Sequence, residues 1–355
     1  MAGKDWSYGF RVRHPQISLR KPEGLSSSRA EAFNEERIEN YFEALTEIIG
    51  ENFDPRLIFN ADETGLSSVP NTTGKVLAQK GVRAVSCVEV GERGVLTTTV
   101  PCVSAAGELM PPFIVFKGKR KDKNLQTALE KHGIHAEMSE SGFIDKTIFL
   151  KFLNFFQANR PNPDERCILI VDGHTSHTGI DVLTYAAEHK IDLLWIPPHT
   201  SHRLQPLDTH WNEPLKRLWE KLVRQHLRDT SVVRLNRFEF MTLLSAAWKE
   251  MSEKRHLIIK GFQHCGIFPL KRVVSESEFE ISKSFTSDDD SQTKIQRRSS
   301  QKSLEKCIFP SPVKKASSAH KRSHTTLLTS PENIASKKNE KGEEHEETCV
   351  RQGTS

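Results

Sequence analysis

The chain has 355 residues, 36% of them hydrophobic and 27% charged, with a formal net charge of +5. That length supports one large core or two modest ones, and the low apolar fraction implies a stretch that packs against nothing. With no run approaching 18 apolar residues, no signal-type amino terminus in MAGKDWSYGF, and six cysteines (87, 102, 167, 265, 307 and 349) that form no CxxC pair, a soluble, intracellular protein with reduced thiols is expected.

Residues 1 to about 27 are polar and mixed, ending in KPEGLSSS. Ser28 and Glu31 then form an S-x-x-E capping box, and Ile38, Phe42, Leu45 and Ile49 recur at helical spacing until Gly50. RLIFNA reads as a short buried strand, with Asp62 the first acid beyond its apolar run. RAVSCVEV and GVLTTTVPCVSA, separated by GERG, read as a hairpin, and PPFIVFKG as a further strand. A helix is expected from about Lys146 to Ala158, with Ile148, Phe152 and Phe155 on one face. CILIVDG is a continuous apolar run of strand length, the pattern of a strand covered on both faces. Residues 179 to 190 read as a helix and IDLLWIPP as a strand. A turn-rich passage then leads to Asp208, after which Trp211, Leu215, Leu218, Trp219 and Leu222 line one helix face. From about Val273 aromatics nearly vanish and a disordered tail is expected. It has a basic half, with nine Lys or Arg between Lys294 and Arg322 against the one acid Glu305, and the acidic finish GEEHEE.

This order gives a mixed sheet flanked by helices. If LIFNA and CILIV are neighbours, Asp62 and Asp172 share one sheet edge, and the helix opening near Asp208 can pack over it. Acids within about 4 Å repel by roughly 4 kcal/mol at an effective dielectric near 20, so such a cluster demands protons or cations. Taken alone, each acid reads equally as a turn or cap residue. Glu63 is an auxiliary candidate, although strand alternation points it away from Asp62. The repeated HTSH, His174 to His177 and His199 to His202, opens a zinc alternative. Trp211 and Trp219 fit the apolar stripe and therefore the core, rather than stacking on bases.

Four blocks in order, FNADETGL, VDGHTSH, WIPPHTSHRLQPLDTHWNEPLKRLW and GFQHCGIFPL, resemble the DDE-type endonuclease domain of pogo and Tigger transposases. These are relatives of the mariner group and of the jerky and centromere protein B-like family. The resemblance implies an RNase H-like α/β fold, a mixed five-stranded sheet flanked by helices, over residues 28–271. It implies catalytic, metal-binding acids at Asp62, Asp172 and Asp208, with 35 residues between the last two. Two Mg²⁺ or Mn²⁺ ions would be bound, Asp62 bridging both, with His174 or His202 as auxiliary groups. Arg203, Lys216 and Arg217, and Lys119 and Arg120 in the basic knot KGKRKDK, are candidate DNA contacts. The expected partners are DNA, chromatin proteins and a second copy of the chain, in the nucleus and away from membranes. AGKDWSYGFRVRHPQISLRKPE resembles the last part of a helix-turn-helix module, so residues 1–27 read as a remnant of a DNA reader and 272–355 as a tail. The alternative to a nuclease is a domesticated nuclear DNA- or chromatin-binding protein without cleavage activity.

Overall fold

The computed structural model describes residues 4–16, 18, 35–50, 53–70, 94–173 and 179–273. The capping box at Ser28, the RAVSCVEV arm of the hairpin, His174, His177 and the tail lie outside the described residues.

The helices are α1 (Lys4–Arg13), α2 (Glu35–Ile49), α3 (Lys123–His132), α4 (Lys146–Asn159), α5 (Ile180–Glu188), α6 (Ser201–Leu204), α7 (Asn212–Thr230), α8 (Arg237–Glu253) and α9 (Arg255–His264). The strands are β1 (Ile58–Ala61), β2 (Thr64–Ser67), β3 (Leu96–Val100), β4 (Cys102–Ser104), β5 (Phe113–Lys117), β6 (His135–Ser139), β7 (Cys167–Val171) and β8 (Ile191–Trp195). Local chemistry sets several of the helix starts. Asp122, Asp145 and Asn236 each accept a backbone N–H two or three residues on, and Glu239 returns the bond to Asn236 in a capping box. Gly133 closes α3 at φ +62°, a conformation that costs glycine nothing.

Hydrogen bonds join β4-β1-β7-β8 in one ladder and β2-β3-β5-β6 in another. The two ladders continue each other. Ala61 pairs with Cys102 and Thr64 with Thr99 in the same antiparallel register, and between them Asp62 N donates to Pro101 O at 3.2 Å. Pro101 has no N–H to return, so the ladder skips at the first acid. With each interrupted strand counted once, the order is β6, β5, β3/β4, β1/β2, β7, β8, which is the expected five strands plus β6 on the outside. β6 pairs parallel with β5, and β7 parallel with both β1 and β8.

Strand alternation divides the core between two faces. Ile58, Ile168, Ile170 and Leu194 meet Trp211, Leu215 and Trp219 beneath α2, α7 and α8. Phe59, Leu169 and Val171 meet Phe152 and Phe156 of α4 and Val182 and Leu183 of α5 on the other. The unbroken apolar run of β7 follows, because both its faces are covered. Phe59 and Phe156 pack edge to face at 5.0 Å, and truncating either to alanine should cost about 3–5 kcal/mol.

Candidate active site

β1 pairs parallel with β7 with Asn60 opposite Ile170. Asp62 and Asp172 each lie two residues further on, so both leave the sheet at adjacent strand ends, on the face where α7 packs. Asp208 arrives from outside the sheet, on a π-helical turn (Leu207–Trp211) that runs straight into α7. α9 presses this turn down: a Cβ at Gly261 would stand 2.6 Å from Pro206 O, so only glycine allows this approach. Thr209 Oγ1 donates back to Pro206 O at 3.0 Å.

Asn212, four residues past Asp208, joins two of the acids. Its Nδ2 donates to Asp62 Oδ2 at 2.6 Å and to Asp208 Oδ1 at 3.0 Å. Asn212 escaped the sequence reading; its signal was a polar residue in step with Asp208 ahead of the apolar stripe.

Burial pushes the Asp62 carboxyl well above the usual range; the charges of Asp208 and Asp172 push it the same way, and the Asn212 amide opposes them. Glu63 is raised to about 7 by burial and by Asp172, against a hydrogen bond from the Ile144 backbone N–H.

Asp172 and Asp208 line one open cleft of about 510 Å³, whose other wall carries His199, Ser201 and His202. Among the described residues, no three His, Cys, Asp or Glu side chains stand close enough to enclose an ion. The chemistry of the groups nonetheless suits a hard divalent cation. The three carboxylates and the Asn212 amide offer oxygen donors, no cation among the described residues pairs with Asp62, and the buried Asn212 Oδ1 has no hydrogen-bond partner among them.

The remaining candidates separate. His202 is exposed on the cleft wall. Arg203 turns toward α9, its Nη1 3.3 Å from His264 Nε2. Lys216 is exposed, one helical step beyond Asn212 on the same face; Arg217 pairs with Glu213 at 2.7 Å. Lys119 and Arg120 follow the end of β5 that is remote from Asp62, roughly 20 Å along the strand direction, and Lys119 is paired with Glu140. The structure does not bring these two to the acids. Trp211 is fully buried and Trp219 donates to Ser67 O at 2.8 Å, so both belong to the core. Of the four histidines behind the zinc alternative, only His199 and His202 are described.

Residues 93–262 match the family model described as DDE superfamily endonuclease. The match takes in Asp172 and Asp208 and begins after Asp62. A curated relative, the MFS-type transporter clz9 of Cochliobolus lunatus, is 26% identical over 230 residues, 63% of this chain and 24% of that protein. The chain thus spans about a quarter of that relative's length, and no described helix is long and apolar enough to cross a membrane. Among solved structures, the Mos1 transposase paired-end complex with left transposon end is similar at a TM-score of 0.42 and 14% identity, covering 72% of this chain and 69% of that one. The Mos1 mariner paired-end complex with Mn gives 0.40 and 16% over 70% of each chain. The catalytic domain of Mos1 mariner transposase alone gives 0.33 and 14% over 66% and 98%.

Proposed function

The chain carries a DDE superfamily endonuclease domain, and on that premise we propose that it is a transposon-derived, transposase-type nuclease that binds DNA and cuts or joins phosphodiester bonds with divalent metal ions. The observation that supports this best is the meeting of Asp62, Asp172 and Asp208, far apart in sequence, around one partly buried carboxyl: burial raises Asp62, and the charges of Asp208 and Asp172 raise it further.

The three carboxylates and Asn212 Oδ1 would hold Mg²⁺ or Mn²⁺. When bound, such ions lower the pKa of an attacking water or 3′-hydroxyl and neutralise charge on the leaving oxygen. The chain's own contribution is placement. The repulsion among Asp62, Asp172 and Asp208 would be exchanged for coordination to a bound cation. Asp172 and Asp208 open onto the cleft, where a phosphate has room between them and the wall bearing His202. His202 is suited to orient a phosphate oxygen or to accept a proton. Lys216, continuing the Asn212 stripe, is placed for the DNA backbone, and each such contact steepens the salt dependence of binding by about 0.9 in log units.

The basic run between Lys294 and Arg322 supports a nuclear location and a polyanionic partner. A second reading, a DNA- or chromatin-binding protein without cleavage, draws on one observation: Asn212 already bridges Asp62 and Asp208 through its amide. Plasmid nicking with Mn²⁺, run beside Asp172→Asn and Asp208→Asn, decides between them. The nuclease reading expects nicking by the wild type alone. Equal nicking by all three proteins removes the catalytic assignment, and intact DNA binding with no nicking selects the second reading.

A further inference from the structure

Asn60 is the one polar side chain in the apolar run LIFNA and is completely buried. A buried amide without partners would be destabilising, and this one is satisfied by backbone groups only. Its Nδ2 donates to Ile170 O at 3.0 Å and, more weakly, to Ala61 O at 3.4 Å, while its Oδ1 accepts from Leu207 N at 3.1 Å.

The location of those groups gives Asn60 its meaning. Asp62 follows Asn60 by two residues, Asp172 follows Ile170 by two, and Asp208 follows Leu207 by one. One side chain therefore joins the three segments that carry the acids. Strand pairing alone fixes β1 against β7, but the π-helical turn lies outside the sheet. The residue before that turn, Pro206, provides no side-chain cap, and the open N–H of Leu207 is taken from across the fold by Asn60. In helix starts this bond normally comes from a neighbour in sequence. A core asparagine needs partners, but nothing in core packing requires that they lie on these three segments.

We infer that Asn60 is a positioning residue for the acid cluster: through three backbone bonds it sets the spacing of Asp62, Asp172 and Asp208 without touching substrate or ion. Its consequence for metal binding rests on the nuclease reading; its consequence for the backbone does not.

Two measurements on the full chain test this, with Thr99→Val, a fully buried threonine whose hydroxyl has no partner, as the control substitution. In hydrogen exchange followed by mass spectrometry, Asn60→Leu should speed exchange about tenfold in peptides covering 168–173 and 205–212 together, with 113–117 and 135–139 unchanged. Asn60→Asp keeps the acceptor for Leu207 but sets an oxygen against Ile170 O. It should loosen 168–173 and leave 205–212 protected. In Mn²⁺ titration followed by electron paramagnetic resonance, Asn60→Leu should bind about tenfold more weakly or worse, the usual effect of losing a group that orients metal ligands. Thr99→Val should match the wild type in both measurements.

Exchange that rises evenly over the whole sheet, or not at all, would overturn the inference, as would Mn²⁺ affinity within twofold of the wild type in a folded Asn60→Leu protein. If Asn60→Leu does not fold, Asn60→Asp carries both measurements, and its even loosening of 168–173 and 205–212 counts against the inference. A wild-type chain that binds no Mn²⁺ would sink the nuclease reading instead, with the exchange pattern still deciding for or against Asn60.

Discussion

Asp62, just past β1, and Glu137, in β6, are both partly buried carboxylates in opposite company. Burial pushes each upward. At Glu137 that push is outweighed by hydrogen bonds from Lys151 and Lys121, which hold the carboxyl below its usual range. Lys151 Nζ lies at 2.9 Å, Lys121 Nζ at 3.2 Å and His135 Nε2 at 3.4 Å from its oxygens. At Asp62 the neighbouring charges are Asp208 and Asp172, and they add to burial. The fold thus neutralises a carboxylate in β6 and leaves one opposed at the proposed active site.

The largest test of this contrast is activity. Asp62→Asn, Asp172→Asn or Asp208→Asn should lower Mn²⁺-dependent nicking by about 10³-fold, the scale of losing a principal electrostatic stabiliser; Glu137→Gln should stay within twofold of the wild type. Equal losses at both sites would erase the distinction.

Of Asp62 and Glu137, only Asp62 should respond to metal. At one hundred times its dissociation constant, Mn²⁺ should stabilise the wild type by about 2.7 kcal/mol, read as a rise in melting temperature that chelator reverses. Glu137→Gln should retain that rise and Asp62→Asn should lose it. Without metal, Asp62→Asn should melt above the wild type, since it removes a carboxyl that burial and the charges of Asp208 and Asp172 oppose.

A smaller effect comes from breaking the neutralised site. Glu137→Gln should cost about 1 kcal/mol, in the range for partly exposed ion pairs. Because the folded carboxyl of Glu137 is held low, its contribution is present above the ordinary glutamate range and is lost as pH falls through the folded value. A last effect belongs to Glu63, an exposed residue whose folded pKa is raised to about 7 from an ordinary 4.5. Its contribution has the reverse sign: it is complete below 4.5 and disappears as pH rises through about 7. A chemical-denaturation series of metal-free protein between those limits should show stability falling with pH, and Glu63→Gln should flatten the slope.

The sequence was legible where an apolar run ended in an acid. LIFNAD and CILIVD showed both strands and the residues leaving them, and the register of β1 on β7 places those acids side by side. β6 was missed because HAEMS alternates His and Glu with only Ala and Met, and its pairing with β5 decides its structure. α8 was missed although its signals were present, in the Asn236–Glu239 capping box and in Phe240, Leu244, Ala247 and Met251 at helical spacing. Asn60 and Asn212 could not be ranked from sequence, since their partners lie up to 150 positions away and an isolated asparagine reads as a turn or cap.

The wide turn under Asp208 carries a consequence for how this protein tolerates insertion and deletion. A π-helical turn holds one residue more than an α-helical turn of the same span. Removing Thr209 would let the chain wind on as ordinary helix with little change in length, leaving Asp208 three positions from Asn212 rather than four, so the amide contact between them would have to be remade. The four-residue interval from Asp208 to Asn212 is therefore set by the contact between them, and the loop ahead of the turn can vary in length more safely than the five residues that carry the acid.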